Sequence, residues 1–223
     1  MNEKKGKLIV IEGIDGAGKT VQWNMLTQKL EADGYDVETV DFPQYGRATA
    51  AIIDNYLVRE VYGKASDVSP YIASNFYATD RFDLSFRMRK WLEKGKILVS
   101  NRYVPSNGGH QVGKIKDPEE LKKFLHWLYD LEYNKFGIPK PDINVFLDIP
   151  LEISEQLTES RGKRDAHESD PDHLANAYRS YHAMIKEFPD DFAVIHCVEN
   201  GKILPPEEIH ESVWKAVSEK LGL

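Results

Sequence analysis

At 223 residues, with 41% hydrophobic and 29% charged side chains, the chain can bury a substantial core and is too apolar to stay unfolded. A net charge of −7 gives no overall field for a nucleic-acid polyanion, so a phosphate ligand must be held by local groups. The single cysteine, Cys197, excludes an internal disulfide framework and fits a reducing cytosol, with the thiol acting as a small buried hydrophobe at a strand end.

The opening MNEKKGK reads as a solvated basic tail followed by only a short apolar run, which is not an export signal. No apolar run approaches the ~20 residues of a membrane span, so a cytoplasmic protein is expected. KLIVIE predicts a strand over 7–12, then GIDGAGKT at 13–20 and a helix over 18–33. A second strand, 36–42, leads into DFPQYGR and helices over 48–62 and 68–94. A third, 96–100, opens into NRYVPSNGGHQ, which reads as a polar loop. A helix over 117–136, a strand over 143–149 and a helix over 151–160 come next. Residues 158–173, TESRGKRDAHESDPDH, are dense in charge and fit either a solvated loop or a lid over a site. A helix over 172–187, a strand over 192–198 and a helix over 206–221 complete the chain.

Nearly continuous apolar strands alternating with helices indicate an α/β fold, a parallel sheet covered on both faces, in one domain spanning 1–223. Such sheets bind ligands beyond the carboxyl ends of their strands, which directs attention to the residues that follow each strand.

After the first strand, Gly13, Ile14, Asp15, Gly16, Ala17, Gly18, Lys19 and Thr20 fit G-x-x-x-x-G-K-S/T without deviation. The glycines let successive backbone N–H groups point at phosphate oxygens, and the helix that follows adds its positive dipole end. Lys19 can reach the β- and γ-phosphates and the Thr20 hydroxyl can ligate Mg²⁺, which makes this a nucleoside-triphosphate site. No N-K-x-D string for guanine occurs. A small-molecule kinase also needs aromatic surface for a base and arginines for an anionic phosphate. DFPQYGR (41–47), FYATDRF (76–82) and NRYVPSNGGHQ (101–111) offer both.

With IEGIDGAGKT, the FP pair at Phe42, RYVPSN at 102–107 and GIPKPDINVFLDI at 137–149, the chain resembles the thymidylate kinases over most of its length. The resemblance implies the P-loop NTPase three-layer fold, with a five-stranded parallel sheet, a helical lid and a homodimer, and an activity that uses ATP and Mg²⁺ to phosphorylate dTMP to dTDP. It implies that Asp15 looks toward the acceptor's 3′-hydroxyl and that Phe42 lines the nucleotide site. Tyr77 would stack on thymine, Arg81 would bond the base, Arg102 would grip the acceptor phosphate, and Ser106 and Asn107 would lie near the base. Each also has a structural alternative: Phe42 and Tyr77 as core aromatics, Arg81 in a helix-surface ion pair, Ser106 and Asn107 as turn residues.

Four departures from the family pattern bear on chemistry. Asn101 stands where the family has an aspartate near the metal or its water shell. An acceptor phosphate is already a nucleophile, so activity is expected to persist with weaker Mg²⁺ affinity. Gly16 stands where some members carry an arginine; others place it in the lid, where this chain has Arg161 and Arg164. Tyr45 replaces an acceptor arginine, for which Arg47 is the candidate substitute. His110 replaces an aromatic that crowds a ribose 2′-hydroxyl. Tyr45 and His110 keep open a kinase of another deoxynucleotide or deoxynucleoside, and Asn101 keeps open a catalytically weak nucleotide-binding protein.

Overall fold

The apolar runs pair side by side. In the computed structural model, which describes residues 5–159 and 172–223, β1 (Lys7–Glu12), β2 (Val37–Asp41), β3 (Ile97–Asn101), β4 (Ile143–Asp148) and β5 (Phe192–His196) form one parallel sheet. Its order is β2-β3-β1-β4-β5. β1 feeds β2 on one side while β3 feeds β4 across β1 to the other, so a crevice opens at the carboxyl ends of β1 and β3. There Ile11 pairs with Asn101, and Asp41 pairs with the same Asn101 from the other side.

β3 is buried along its whole length, as are β1 after its first residue and β4 before its last, which is why all three are rich in Ile, Leu, Val and Phe; the buried polar residues among them are Glu12, Ser100, Asn101 and Asn144. Each such side chain contributes roughly 1.5–3 kcal/mol on burial. α1 (Lys19–Ala32) and α8 (Pro206–Leu221) pack on each other and on the sheet. α3 (Pro70–Glu93), α4 (Val104–Val112), α5 (Pro118–Tyr129) and α7 (His173–Glu187) form a second group in which α4 touches the other three. α5 starts where its sequence says: Asp117 accepts from the Glu120 N–H at 2.9 Å, Pro118 opens the helix, and Glu119 and Glu120 meet the dipole. α6 (Leu151–Glu159) follows β4, and a smaller cluster of Ile53, Tyr56, Leu57, Ala65 and Ala73 stands apart from the main core.

Four expectations are corrected. The helix expected over 48–62 is a 3-10 turn at Ala48–Ala50 and a short α2 (Ala51–Leu57). It stops where the Arg59 N–H, one residue beyond α-helical spacing, turns back at 3.0 Å to Asp54 O, the oxygen that already accepts the last helical bond from Val58 at 2.9 Å. The supposed polar loop after β3 is helix α4. Its glycines are helical because α7 lies against them: a Cβ on Gly109 would stand 2.3 Å from the Tyr181 ring, and one on Gly108 would stand 3.0 Å from Met184 Sδ. Close approach there offsets the cost of glycine in a helix, about 1 kcal/mol each. The helix expected over 117–136 is α only to Tyr129 and becomes a π-helical stretch, Asp130–Lys135, before its end. Past Cys197, β6 (Val198–Glu199) and β7 (Lys202–Ile203) form a hairpin with Asn200 and Gly201 at φ 50° and 74°. Asn-Gly between strands is the signal for that turn. Among the described residues no helix is long and apolar enough to cross a membrane.

Candidate active site

The loop between β1 and α1 turns on left-handed glycines, with Gly16 at φ 84° and Gly18 at φ 82°. α1 therefore begins directly after Gly18 with no side-chain cap, which leaves its first N–H groups to a ligand. Lys19 is buried and arches over the loop, donating to the carbonyls of Gly13 and Ile14, both at 2.9 Å, with Asp15 Oδ1 at 3.6 Å. Thr20 is exposed in the first helical turn. Gly16 has a packing reason as well as a conformational one. A Cβ there would stand 3.0 Å from Ser154 O, and Ser154 Oγ donates to Asp15 O at 2.5 Å, so α6 is seated on the loop.

Arg102 follows β3 with φ 65°, a left-handed conformation that costs a non-glycine residue about 1–2 kcal/mol. The surroundings hold it there. Buried Glu12 accepts from the N–H groups of Tyr103 (2.7 Å) and Ser106 (3.2 Å) and from the hydroxyls of Ser106 (2.7 Å) and Tyr181 (3.0 Å). The guanidinium then reaches Asp15 Oδ1 at 2.5 Å, His110 Nε2 at 2.9 Å and Ser106 Oγ at 3.5 Å. Burial alone would raise the Asp15 carboxyl, but Arg102 and Lys19 outweigh it and hold it well below the usual carboxylate range. A guanidinium only donates, so His110 Nε2 must accept, and its Nδ1–H faces His173 Nε2 at 3.0 Å. Asp15, His110 and His173 bring ligand-type atoms within 4.8 Å of one another, but Arg102 already bridges the first two, so the cluster is a hydrogen-bonded relay.

Beyond Arg102 lies a cleft of about 300 Å³ lined by Phe42, Tyr77, Arg81, Ser106, Asn107 and Gln111 among others. Phe42 packs on Tyr103 with ring centroids 5.7 Å apart, and Tyr77 sits edge-on to Tyr56, whose cluster forms that wall. The surface ion pair considered for Arg81 is in fact a buried one. Its Nε and Nη2 each meet a Glu132 oxygen at 2.6 Å, and Nη1 donates to Tyr103 O at 3.4 Å. Burial opposes the Arg81 charge, and Glu132 more than restores it. Asn107 donates to Glu132 and to Ser74 O, both at 3.1 Å, which fixes its amide and leaves Oδ1 buried with no partner among the described residues; Gln111 Nε2 is in the same condition. A hidden acceptor and a hidden donor on one cleft wall are unfinished hydrogen bonding that a flat heterocycle with an N–H and a carbonyl would complete.

At the other rim, Asn101 donates from Nδ2 to Asp41 Oδ1 at 2.9 Å. Partial burial raises the Asp41 carboxyl above its usual value, against the lowering effect of that hydrogen bond. The structure thus brings Asp15, Phe42, Tyr77, Arg81, Asn101, Arg102, Ser106, Asn107 and His110 to one cleft at the mouth of the P-loop. It does not bring Arg47, which is exposed in an adjoining depression with Tyr45 and Arg87. His110 is half-buried on α4, not an exposed loop histidine. Arg161 and Arg164 lie outside the described residues. Glu12, Asp41, Gln111, Glu132, His173 and Tyr181 were missed. Glu12, Asp41, Gln111 and His173 had a signal, since each stands inside a stretch already singled out.

A family model described as thymidylate kinase matches residues 11–209. The chain is 30% identical to the thymidylate kinase of Mycobacterium tuberculosis over 160 residues, which cover 71% of this chain and 73% of that protein. It is 29% identical over 224 residues to a probable thymidylate kinase of Pyrococcus abyssi, covering 98% of this chain and all of the other. Among solved structures, the thymidylate kinase of Candida albicans superposes with a TM-score of 0.75 at 20% identity, covering 97% of this chain and 94% of that one, which speaks for the fold.

Proposed function

The chain belongs to the thymidylate kinase family, and we propose that the cleft is where it moves the γ-phosphoryl group of ATP onto dTMP, giving ADP and dTDP. The observation that carries this reading is Arg102, strained and half-buried, set between a P-loop carboxylate and a cleft whose far wall holds an acceptor and a donor unmet among the described residues. Gly13 to Thr20 take the triphosphate on backbone amides, and Lys19 leaves its two carbonyls for the β- and γ-phosphates. Arg102 takes the acceptor phosphate, Tyr77 and Phe42 enclose thymine, Asn107 Oδ1 accepts from its N3–H, and Arg81 and Gln111 donate to its carbonyls. Asp15 faces the 3′-hydroxyl. His110 crowds the sugar and, through Nε2, steadies Arg102.

An oxygen of the dTMP phosphate attacks the γ-phosphorus, the bond to the β–γ bridging oxygen breaks, and its electron pair leaves with ADP. No proton need move, so positioning and charge are what the protein supplies, and an amide at position 101 is compatible with turnover. The residues fit Mg²⁺: the Thr20 hydroxyl, the Asp15 and Asp41 carboxylates and Asn101 Oδ1, which has no partner among the described residues, are hard oxygen donors. When bound, Mg²⁺ supplies charge neutralisation of the phosphate oxygens.

Residues 158–173 act as a lid within a single kinase domain. What supports this is the anchoring of the segment's surroundings at the site, Ser154 before it on the P-loop and His173 at its end on His110. Arg161 and Arg164 would then reach the transferred phosphoryl. Arg47, exposed beside the cleft, would engage the acceptor only if its own loop moved inward. The protein works as a cytoplasmic homodimer; the exposed Phe82 and Phe86 on α3, packed edge to face with centroids 5.3 Å apart, support a partner there.

The test is ADP release measured with dTMP, dUMP, dGMP and thymidine as acceptors under one set of conditions. Release that depends on acceptor and is fastest with dTMP is expected. Equal release with and without acceptor would overturn the reading.

A further inference from the structure

Position 101 carries no charge, yet a carboxylate stands beside it. β2 and β3 end in register, so Asp41 and Asn101 are direct partners across the sheet, and both side chains line the cleft with Asp15 and Arg102. The bond from Asn101 Nδ2 to Asp41 Oδ1, 2.9 Å long, settles the amide's orientation. A carboxylate accepts only, so the nitrogen must face it and the carbonyl oxygen must point away. That Oδ1 belongs to a residue only 6% exposed and meets no donor among the described residues. Buried acceptors are rarely left so, and this one belongs to a residue that lines the same cleft as Asp41, at the mouth of a phosphate loop. A neutral and an anionic oxygen donor on one cleft rim are what a hard divalent cation or its water shell takes up.

We propose that Asp41 is the carboxylate serving the Mg²⁺ side of phosphoryl transfer in this chain, and that Asn101 is a positioning residue that holds it there. The proposal rests on the kinase reading of the cleft. Alone, an amide at 101 would weaken Mg²⁺ binding; with Asp41 one strand over, the local charge is kept. It also explains the amide. Aspartates at both positions would set two carboxylates at hydrogen-bonding distance, and one would have to take up a proton. A single charge at 41, fixed by a donor at 101, avoids that.

The test reads metal binding without turnover. Mn²⁺ is titrated, with electron paramagnetic resonance detection of the free ion, into the complex with ADP and dTMP, and nucleotide affinities are measured by calorimetry in metal-free buffer. Asp41→Asn is expected to weaken Mn²⁺ binding about tenfold or more while metal-free ADP and dTMP affinities stay within about threefold. The reciprocal exchange, Asp41→Asn with Asn101→Asp, is expected to return Mn²⁺ affinity to within about threefold of the parent, because the charge has only changed strands. Parental Mn²⁺ affinity in Asp41→Asn overturns the proposal, as does an exchange variant no tighter than the single one. Should Asp41→Asn not fold, the exchange variant decides alone: parental affinity upholds the proposal and a tenfold loss sinks it. A parent that binds ADP but no dTMP counts against the kinase reading instead, and the Mn²⁺ comparison is then made on the ADP complex.

Discussion

Replacing Gly109 with alanine tests the packing that sets Arg102. On a free helix the change would stabilise by about 1 kcal/mol, because alanine loses less backbone entropy. Here the new Cβ would stand 2.3 Å from Tyr181 Cε2, 2.6 Å from Cδ2 and 2.7 Å from Cζ. Tyr181 is fully buried and its hydroxyl bonds Glu12 and Ser106, so the ring cannot retreat without loosening those contacts. Overpacking costs about 1–3 kcal/mol. A weakened hydrogen bond to a carboxylate costs about 1.5–3 kcal/mol. Less the helix gain, the net loss is about 1.5–5 kcal/mol. Glu12 would also lose its hold on the Tyr103 and Ser106 N–H groups that keep Arg102 left-handed. kcat/KM for dTMP should therefore fall more than ATP affinity. Urea unfolding followed by tryptophan fluorescence gives the loss of stability, and a coupled ADP assay gives kcat/KM. A Gly109→Ala protein as stable as the parent, or more stable, would refute the close contact of α4 with α7 and the route from it to Arg102.

Glu132→Gln leaves Arg81 buried beside a neutral partner and should cost about 3–5 kcal/mol in urea unfolding; a loss under about 1 kcal/mol would show that the pair is not a buried ion pair. Arg161→Ala or Arg164→Ala should lower kcat about 100-fold or more with little change in ATP affinity, and turnover within about twofold of the parent for both would exclude a lid arginine at the phosphoryl group. Burial pushes the Cys197 thiol up to about 12, so it should resist a thiol-exchange reagent at pH 8 until urea unfolds the chain. Rapid labelling of the native protein would place Cys197 at the surface.

The sheet was legible because a strand buried on both faces must be a nearly continuous apolar run, as in Leu8–Ile11 and Val145–Leu147, and few other structures need one. The P-loop was legible because glycine spacing and a following lysine are themselves the chemistry. α4 was not. Val104–Val112 holds a proline and two glycines, and only the surfaces of Tyr181 and Met184, more than 70 residues on, make a helix of them. The partners of site residues were hidden for the same reason. Arg81 finds Glu132 51 residues away, and Glu12 reaches Tyr181 169 residues away, pairings no local pattern announces. The Asn200-Gly201 turn is the opposite case: the local signal was present and went unread. Asn101 is instructive in another way. Its change of charge stood out in the sequence, but the carboxylate beside it became visible only when β2 and β3 were paired.

Two anions meeting end to end, one on backbone amides and one on Arg102, is the claim under the rest. It is tested most directly by calorimetric titration of dTMP into the protein holding a non-hydrolysable ATP analogue, for the parent and for Arg102→Met. The parent should bind dTMP, and the variant should bind it about 30-fold more weakly or worse while keeping the analogue's affinity within about threefold. A parent that holds the analogue and takes up no deoxynucleoside monophosphate would contradict it.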